Sequence, residues 1–312
     1  MEEVPEHQEE IEGTATQIYE TLFKPPLKTP IKTLDIPPGG RGYGTLALPL
    51  VYDLVNLAND QKVKDATRQK ILLRRAGDKA NDPDADTDGS KTVTFLKNTR
   101  KVAWRISGTH PSSLGLHPAV YFFSPSGRFQ PTSFLAVVSL IRDMDKTEGY
   151  SAFTDVRRQF EEFLIGHKGY VNAVTNRYGS GVKGFERLKQ LYQYVIDHLV
   201  GGRSGEQIED SIKTHSQFAF AARYDLKDEY VRQSSEFDTY TKSTIFIREA
   251  MKTPVRCAEC GGLIHVNSMT IDHTVRKQDG GHGTADNGQL MHPYCNSTYK
   301  EQRVQRERAW KK

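Results

Sequence analysis

The sequence predicts an α+β protein in three parts: an N-terminal α+β domain, a helical middle region and a small C-terminal unit held together by cysteines. Three observations lead there. Runs rich in β-branched and aromatic residues lie between positions 92 and 124. A long apolar stripe with three-and-four spacing follows in the middle of the chain. All three cysteines of the 312-residue chain, Cys257, Cys260 and Cys295, fall near its end.

Residues 1–34 read as a weakly ordered segment. The first twelve residues hold six glutamates and no Lys or Arg, whereas a secretory or mitochondrial leader begins basic. No apolar run reaches the roughly 18 residues of a membrane-spanning helix, so the expected compartment is the cytoplasm.

Residues 35–150 form the expected α+β domain, with target recognition or regulation as its role. The glycine cluster GGRGYG at 39–44 lacks the Gly-Lys-Ser/Thr of a phosphate loop and reads as a structural turn leading into a helix. The Asp-, Gly- and Asn-rich stretch at 76–91 reads as an exposed loop. TVTFL, KVAWRIS and AVYFF read as strands, and TSFLAVVSLIRDM as an apolar helix. ISGTHPSSLGLHPAVYFF looks structured, with His110 and His117 as packing or turn residues.

Residues 151–250 read as helical. Phe185, Leu188, Leu191, Tyr192, Val195, Ile196 and Leu199 give one buried stripe, and Gly201 and Gly202 end it. Two further helical stretches follow, at about 208–222 and 237–251.

Residues 251–312 carry the chemistry. An odd number of clustered cysteines is a poor disulfide framework and a good metal set in a reducing compartment. Cys257 and Cys260 are separated by two residues, as are His292 and Cys295. Two such pairs complete a tetrahedral Cys3His site of the structural zinc type. From Lys300 onward six basic residues face two acidic ones, a surplus equal to the +4 of the whole chain. Such a tail suits a phosphate backbone.

Between and beside the ligand pairs stand Asp272-His273, Gly280-Gly281, Asn287, Asn296 directly after the last cysteine, and Lys300. In this order and spacing, residues from about 254 to 302 resemble the HNH endonuclease family, in the branch with CxxC, Asp-His, Gly-Gly, Asn and CxxCN-Lys features. The resemblance implies a zinc-stapled ββα-metal fold, with IDH on the first strand, NGQLM on the second and PYCNSTYKEQRVQ opening the helix. It implies His273 as general base, and Asp272 and Asn296 as ligands of a catalytic Mg²⁺ or Mn²⁺. Asn287 would hold the imidazole in its working orientation. Lys300, Arg303, Arg306 and His282 are the expected nucleic-acid contacts, and His265 is peripheral. Two departures concern structure more than chemistry: His292 stands where many relatives have Cys, and HTVRK replaces a proline that often follows the Asp-His pair.

The expected activity is metal-dependent cleavage of DNA, by nicking or double-strand breakage. A large preceding region with a C-terminal nuclease is similar to bacterial anti-phage defence enzymes, which implies defence-system protein partners. Two alternatives stand beside it: a non-cleaving zinc-dependent nucleic-acid-binding module, and an RNA-directed or nonspecific nuclease toxin. The set Asp272, His273, Asn287 and Asn296 argues against a pure binder, which has no need of it.

Overall fold

The computed structural model describes residues 6–27, 31–42, 44, 47–61, 86–223 and 236–310. Helices follow one another through most of the chain: α1 (Gln8–Phe23), α2 (Ala47–Ala58), α3 (Ser90–Ile106), α4 (Pro118–Tyr121), α5 (Pro131–Thr147) and α6 (Tyr150–Gly166). Then come α7 (Gly169–Tyr178), α8 (Val182–Val200), α9 (Gly205–Thr214), α10 (Ala219–Ala222) and α11 (Thr239–Ala250). The strands β1 (Thr270–His273) and β2 (Gly288–Met291) lie in the C-terminal unit, ahead of α12 (Lys300–Trp310). The chain is α+β, with its sheet confined to this unit among the described residues.

The strand reading of 92–124 is corrected by α3 and α4. From Thr92 to Ile106 no Gly or Pro interrupts the chain, and Val93, Thr99, Val102, Ala103 and Ile106 form one buried face at helical spacing. The β-branched content is outweighed by burial of that face against α1, α2 and α5. AVYFF opens instead as the short helix α4, with Pro118 in its first turn and His117 Nδ1 accepting the Ala119 N–H at 3.2 Å. Residues 8–23, expected to be weakly ordered, form α1, whose Ile18, Leu22 and Phe23 enter the core. Most of the 76–91 loop lies outside the described residues.

The seven stripe residues of α8 are all buried, as their spacing predicts. Helix α5 is central: eleven of its seventeen residues are buried, so it has no broad solvent face. It packs on α8, α2 and α3, while α8 also meets α6 and α7. The main core runs from Ile18 to Tyr299 and takes in Leu263, Tyr294 and Tyr299 of the C-terminal unit. That unit's own apolar cluster is small: Cys257, Ile264, Met291 and Cys295. A core of this size cannot hold a fold by itself.

The connection between α3 and α4 supplies the missing support. Its backbone accepts hydrogen bonds from the C-terminal unit: Tyr294 N–H to Ser113 O at 3.0 Å and Ser297 Oγ to Pro111 O at 2.7 Å. Gly108 N–H in turn donates to Ser268 Oγ at 2.8 Å. Gly115 has φ +58°, and a Cβ there would lie 2.8 Å from both His292 Cδ2 and Ser268 Cβ. Only glycine fits this approach.

His117 and His265 meet edge to face across the same seam, with ring centroids 5.5 Å apart. Burial pushes the His265 pKa down to about 4, although Asp35 pulls the other way. Burial also drives His117 well below its ordinary value, and the neighbouring His265 adds to this. Both rings are therefore neutral in the folded protein near pH 7, and the unfolded chain binds their protons more readily. Stability is fully present above the unfolded value near 6.5 and falls as the pH drops toward the folded value. We expect the unfolding free energy to fall by about 3 kcal/mol from His265 alone between pH 6.5 and 4. Denaturant melts across this range check it: His265→Gln is expected to flatten the slope, and an unchanged slope would contradict the assignment.

Candidate metal centre and active site

Four side chains converge at the buried end of the C-terminal unit. The segment Arg256–Leu263 folds back on itself, with Cys257 N–H bonded to Gly262 O at 2.8 Å and Gly261 N–H to Cys257 O at 2.9 Å. This tight loop brings Cys257 and Cys260 onto one side. The Ala258 N–H bonds to Leu290 O at 2.9 Å and ties the loop to β2. His292 and Cys295 follow β2 directly. The ligand atoms of Cys257, Cys260, His292 and Cys295 all lie within 4.8 Å of one another. His292 Nε2 donates to Leu263 O at 2.9 Å, which leaves Nδ1 as the lone-pair nitrogen, 3.4 Å from Cys260 Sγ and 4.0 Å from Cys295 Sγ.

The donor chemistry fits zinc. Hydrogen bonds from the neighbouring sulfurs Cys260 and Cys295 hold Cys257 far down, as a thiolate. The same contact with Cys257 pushes Cys260 up to about 12, and Cys295 is raised further. Three crowded thiols that cannot ionise together are relieved by a shared dication. The expected Cys3His ligands therefore meet in one place.

The second cluster lies at the opposite, open end of β1. The register pairs Thr270 with Met291, Ile271 with Leu290, Asp272 with Gln289 and His273 with Gly288. Side chains alternate along the strand, so Thr270 and Asp272 share one face and Ile271 and His273 the other. Thr270 and Asp272 face the helix side: Asn296 Nδ2 lies 3.5 Å from Thr270 Oγ1, and Lys300 Nζ reaches Asp272 Oδ2 at 2.5 Å. Asn296 sits in a π-helical turn, Cys295–Tyr299, that widens the helix start before α12. Gln289 Nε2 also donates to Asp272 Oδ2, at 3.3 Å. Burial pushes the Asp272 pKa up, but hydrogen bonds from Lys300, the His273 N–H and Gln289 outweigh it, and the carboxyl is held below its ordinary value. Asp272 is thus a charged, hard-oxygen donor of the kind that suits Mg²⁺ or Mn²⁺.

His273 is half-buried and borders a cleft of about 320 Å³ lined also by Asp272, Thr284, Asn287 and Gln289. Ile271, on the same strand face, is 68% exposed. Asn287, expected to orient the imidazole, bonds to backbone with its side chain. Its Nδ2 donates to Val275 O at 3.0 Å and to His282 O at 2.8 Å, and its Oδ1 accepts the Val275 N–H at 2.6 Å. The Thr274 N–H bonds to Asn287 O at 2.9 Å. The amide is fully used in closing the loop that leaves β1, and so fixes the backbone just after His273. The departing loop contains Gly280 and Gly281, as expected.

The basic helix, expected to contact nucleic acid, also carries ion pairs within the protein. Arg303 pairs with Glu259 at 2.5 Å and with Glu307 at 2.6 Å, and Arg306 pairs with Asp155 at 2.9 Å. These pairs tie α12 to the cysteine loop and to α6, which leaves both guanidinium groups partnered. His282 is exposed on the loop beyond His273, and His265 is buried in the seam. Lys311 and Lys312 lie outside the described residues.

Two residues absent from the sequence expectation stand beside the cysteine cluster. Arg157 and Glu161 of α6 are 1% and 0% exposed and pair at 2.7 Å. Their signal was present: Phe153, Arg157, Glu161 and Ile165 recur every four residues, which sets a charged pair inside an apolar stripe.

Residues 257–302 match the family model described as HNH endonuclease, so the chain carries an HNH endonuclease domain at its C-terminal end. No curated protein and no solved structure matches the chain.

Lys300→Met is expected to raise the Asp272 pKa, because burial then acts with less opposition. With a depressed folded value, the pair stabilises the fold above the ordinary carboxylate range, and this is lost as the pH falls through the depressed value. A ¹³C-detected titration of the Asp272 carboxyl in both proteins checks this; equal midpoints would mean that Lys300 does not hold the charge.

Proposed function

We propose that the protein is a metal-dependent endonuclease that hydrolyses phosphodiester bonds in DNA at the cleft beside His273. The family match over residues 257–302 supports a nuclease in general. The observation that carries the reading further is the pairing, at the open end of β1, of a half-buried imidazole with an ionised carboxylate beside a cleft open to a polymer. His273 takes the proton from the attacking water, a role that suits an imidazole near neutral pH. Asp272 and Asn296 would hold a Mg²⁺ or Mn²⁺ ion, which when bound supplies charge stabilisation at the phosphate. Asn287 keeps the loop after His273 closed, so the base is presented in one position. Lys300 guards the Asp272 charge in this structure, and once that carboxylate is otherwise engaged its ammonium can serve a phosphate oxygen. His282 adds a donor on the rim of the same loop.

The body before the domain supports a defence role only through arrangement: a long helical region precedes a compact cutting unit. On that reading the substrate is invading DNA and the partners are proteins of the same defence system. Among the described residues no helix is long and apolar enough to cross a membrane.

Purified protein is expected to relax or linearise supercoiled plasmid with Mg²⁺ or Mn²⁺, and His273→Ala to lower that rate by about 100-fold or more. Wild type and variant that are equally inert on plasmid and RNA would refute the enzyme reading, and cleavage of RNA alone would overturn the choice of DNA. Cys257→Ser should behave differently, losing zinc and the folding of the C-terminal unit along with activity.

A further inference from the structure

Around the cysteine cluster, four groups close a ring of contacts hidden from solvent. Arg157 Nε donates to Glu161 Oε1 at 2.7 Å, and Glu161 Oε2 accepts the Leu263 N–H at 2.6 Å. Leu263 O accepts His292 Nε2 at 2.9 Å, and His292 Nδ1 lies 3.2 Å from Arg157 Nη1. Glu161, Leu263 and His292 are each 0% exposed, and Arg157 is 1% exposed. The guanidinium also donates to Leu114 O, and to Gly115 O at 3.0 Å. A Cβ on Gly262 would lie 2.5 Å from Arg157 Nε, so the cysteine loop is shaped to admit this side chain.

A zinc ion bound by three thiolates and a neutral imidazole leaves one net negative charge. Here that charge and the Glu161 carboxylate would share one buried place, which is costly unless a cation lies between them. We propose that Arg157 is the counter-cation of the zinc centre, a positioning residue that acts on the charge of the thiolates from beside His292, whose Nδ1 lone pair is kept for the ion. Glu161 holds Arg157 in place and fixes Leu263, whose carbonyl sets the tautomer of His292. Zinc retention is then a property of α6 as much as of the four ligands. This rests on the zinc reading of the cluster and not on the nuclease reading of the cleft.

The test compares full-length wild type, Arg157→Gln and Arg157→Lys. Zinc content is measured by mass spectrometry, zinc release by transfer to 4-(2-pyridylazo)resorcinol, and folding by circular dichroism with and without added zinc. Arg157→Gln is expected to release zinc about 10–100-fold faster than wild type, the usual effect of losing an outer partner of a metal ligand. Arg157→Lys, which keeps the charge, should lie closer to wild type. A glutamine variant that folds only with excess zinc would also support the proposal. Wild-type release from Arg157→Gln would overturn it. So would a lysine variant that releases as fast as glutamine, or a glutamine variant that unfolds whatever the zinc concentration. Zinc-free wild type would remove the centre itself. Plasmid cleavage by wild type, read separately, leaves these outcomes independent of the proposed activity.

Discussion

Arg157 and Glu161, paired inside the protein with no water to share their charge, are the constraint on which the C-terminal unit depends. A buried ion pair is tolerated when its remaining donors and acceptors are satisfied. Here most of them are satisfied across the seam: Leu114 and Gly115 carbonyls on one side, the Leu263 amide on the other. Neither the helical body nor the cysteine loop can move without leaving part of this set unpaired. The four-residue apolar cluster of the unit would not hold that position alone.

The same arrangement divides the unit into a fixed end and a working end. Ser268, just before β1, bonds to Ser107 and Gly108, and Thr270, its first residue, meets Asn296 at the helix start. Two residues later the strand presents Asp272 and His273 at the cleft. The strand is only four residues long, so its anchored start and the cleft lie close together. Asn287 does the corresponding work on the far side by closing the loop onto Val275 and His282.

Much of the site was legible because its chemistry depends on residue type and spacing. Cys257-x-x-Cys260 and His292-x-x-Cys295 do meet, and Asp272-His273 does lie on the first of two antiparallel strands. The α8 stripe was readable for a similar reason, since its period decides its face. Residues 92–106 were not, because their β-branched content competes with a helical period that only burial against α1, α2 and α5 resolves. The partners of Asn287 were hidden for another reason. An amide reveals its hydrogen-bonding capacity but not its partners, and here two of them are backbone carbonyls. The ion pairs of Arg303 and Arg306 were not legible because Glu259 and Asp155 are distant in sequence.

The segment ISGTHPSSLGLHPAVYFF illustrates how a sequence that looks specific can owe its character to fit rather than to a ligand. Ser113 and Pro111 offer carbonyls to the C-terminal unit, Gly115 admits His292, and His117 caps α4 while meeting His265. Each of these residues is tied to a structural contact. Gly115, His117 and the ring around Arg157 are buried in those contacts, so they hold the unit to the body. The seam leaves other surfaces open, among them the cleft beside His273, flanked by exposed Ile271 and His282.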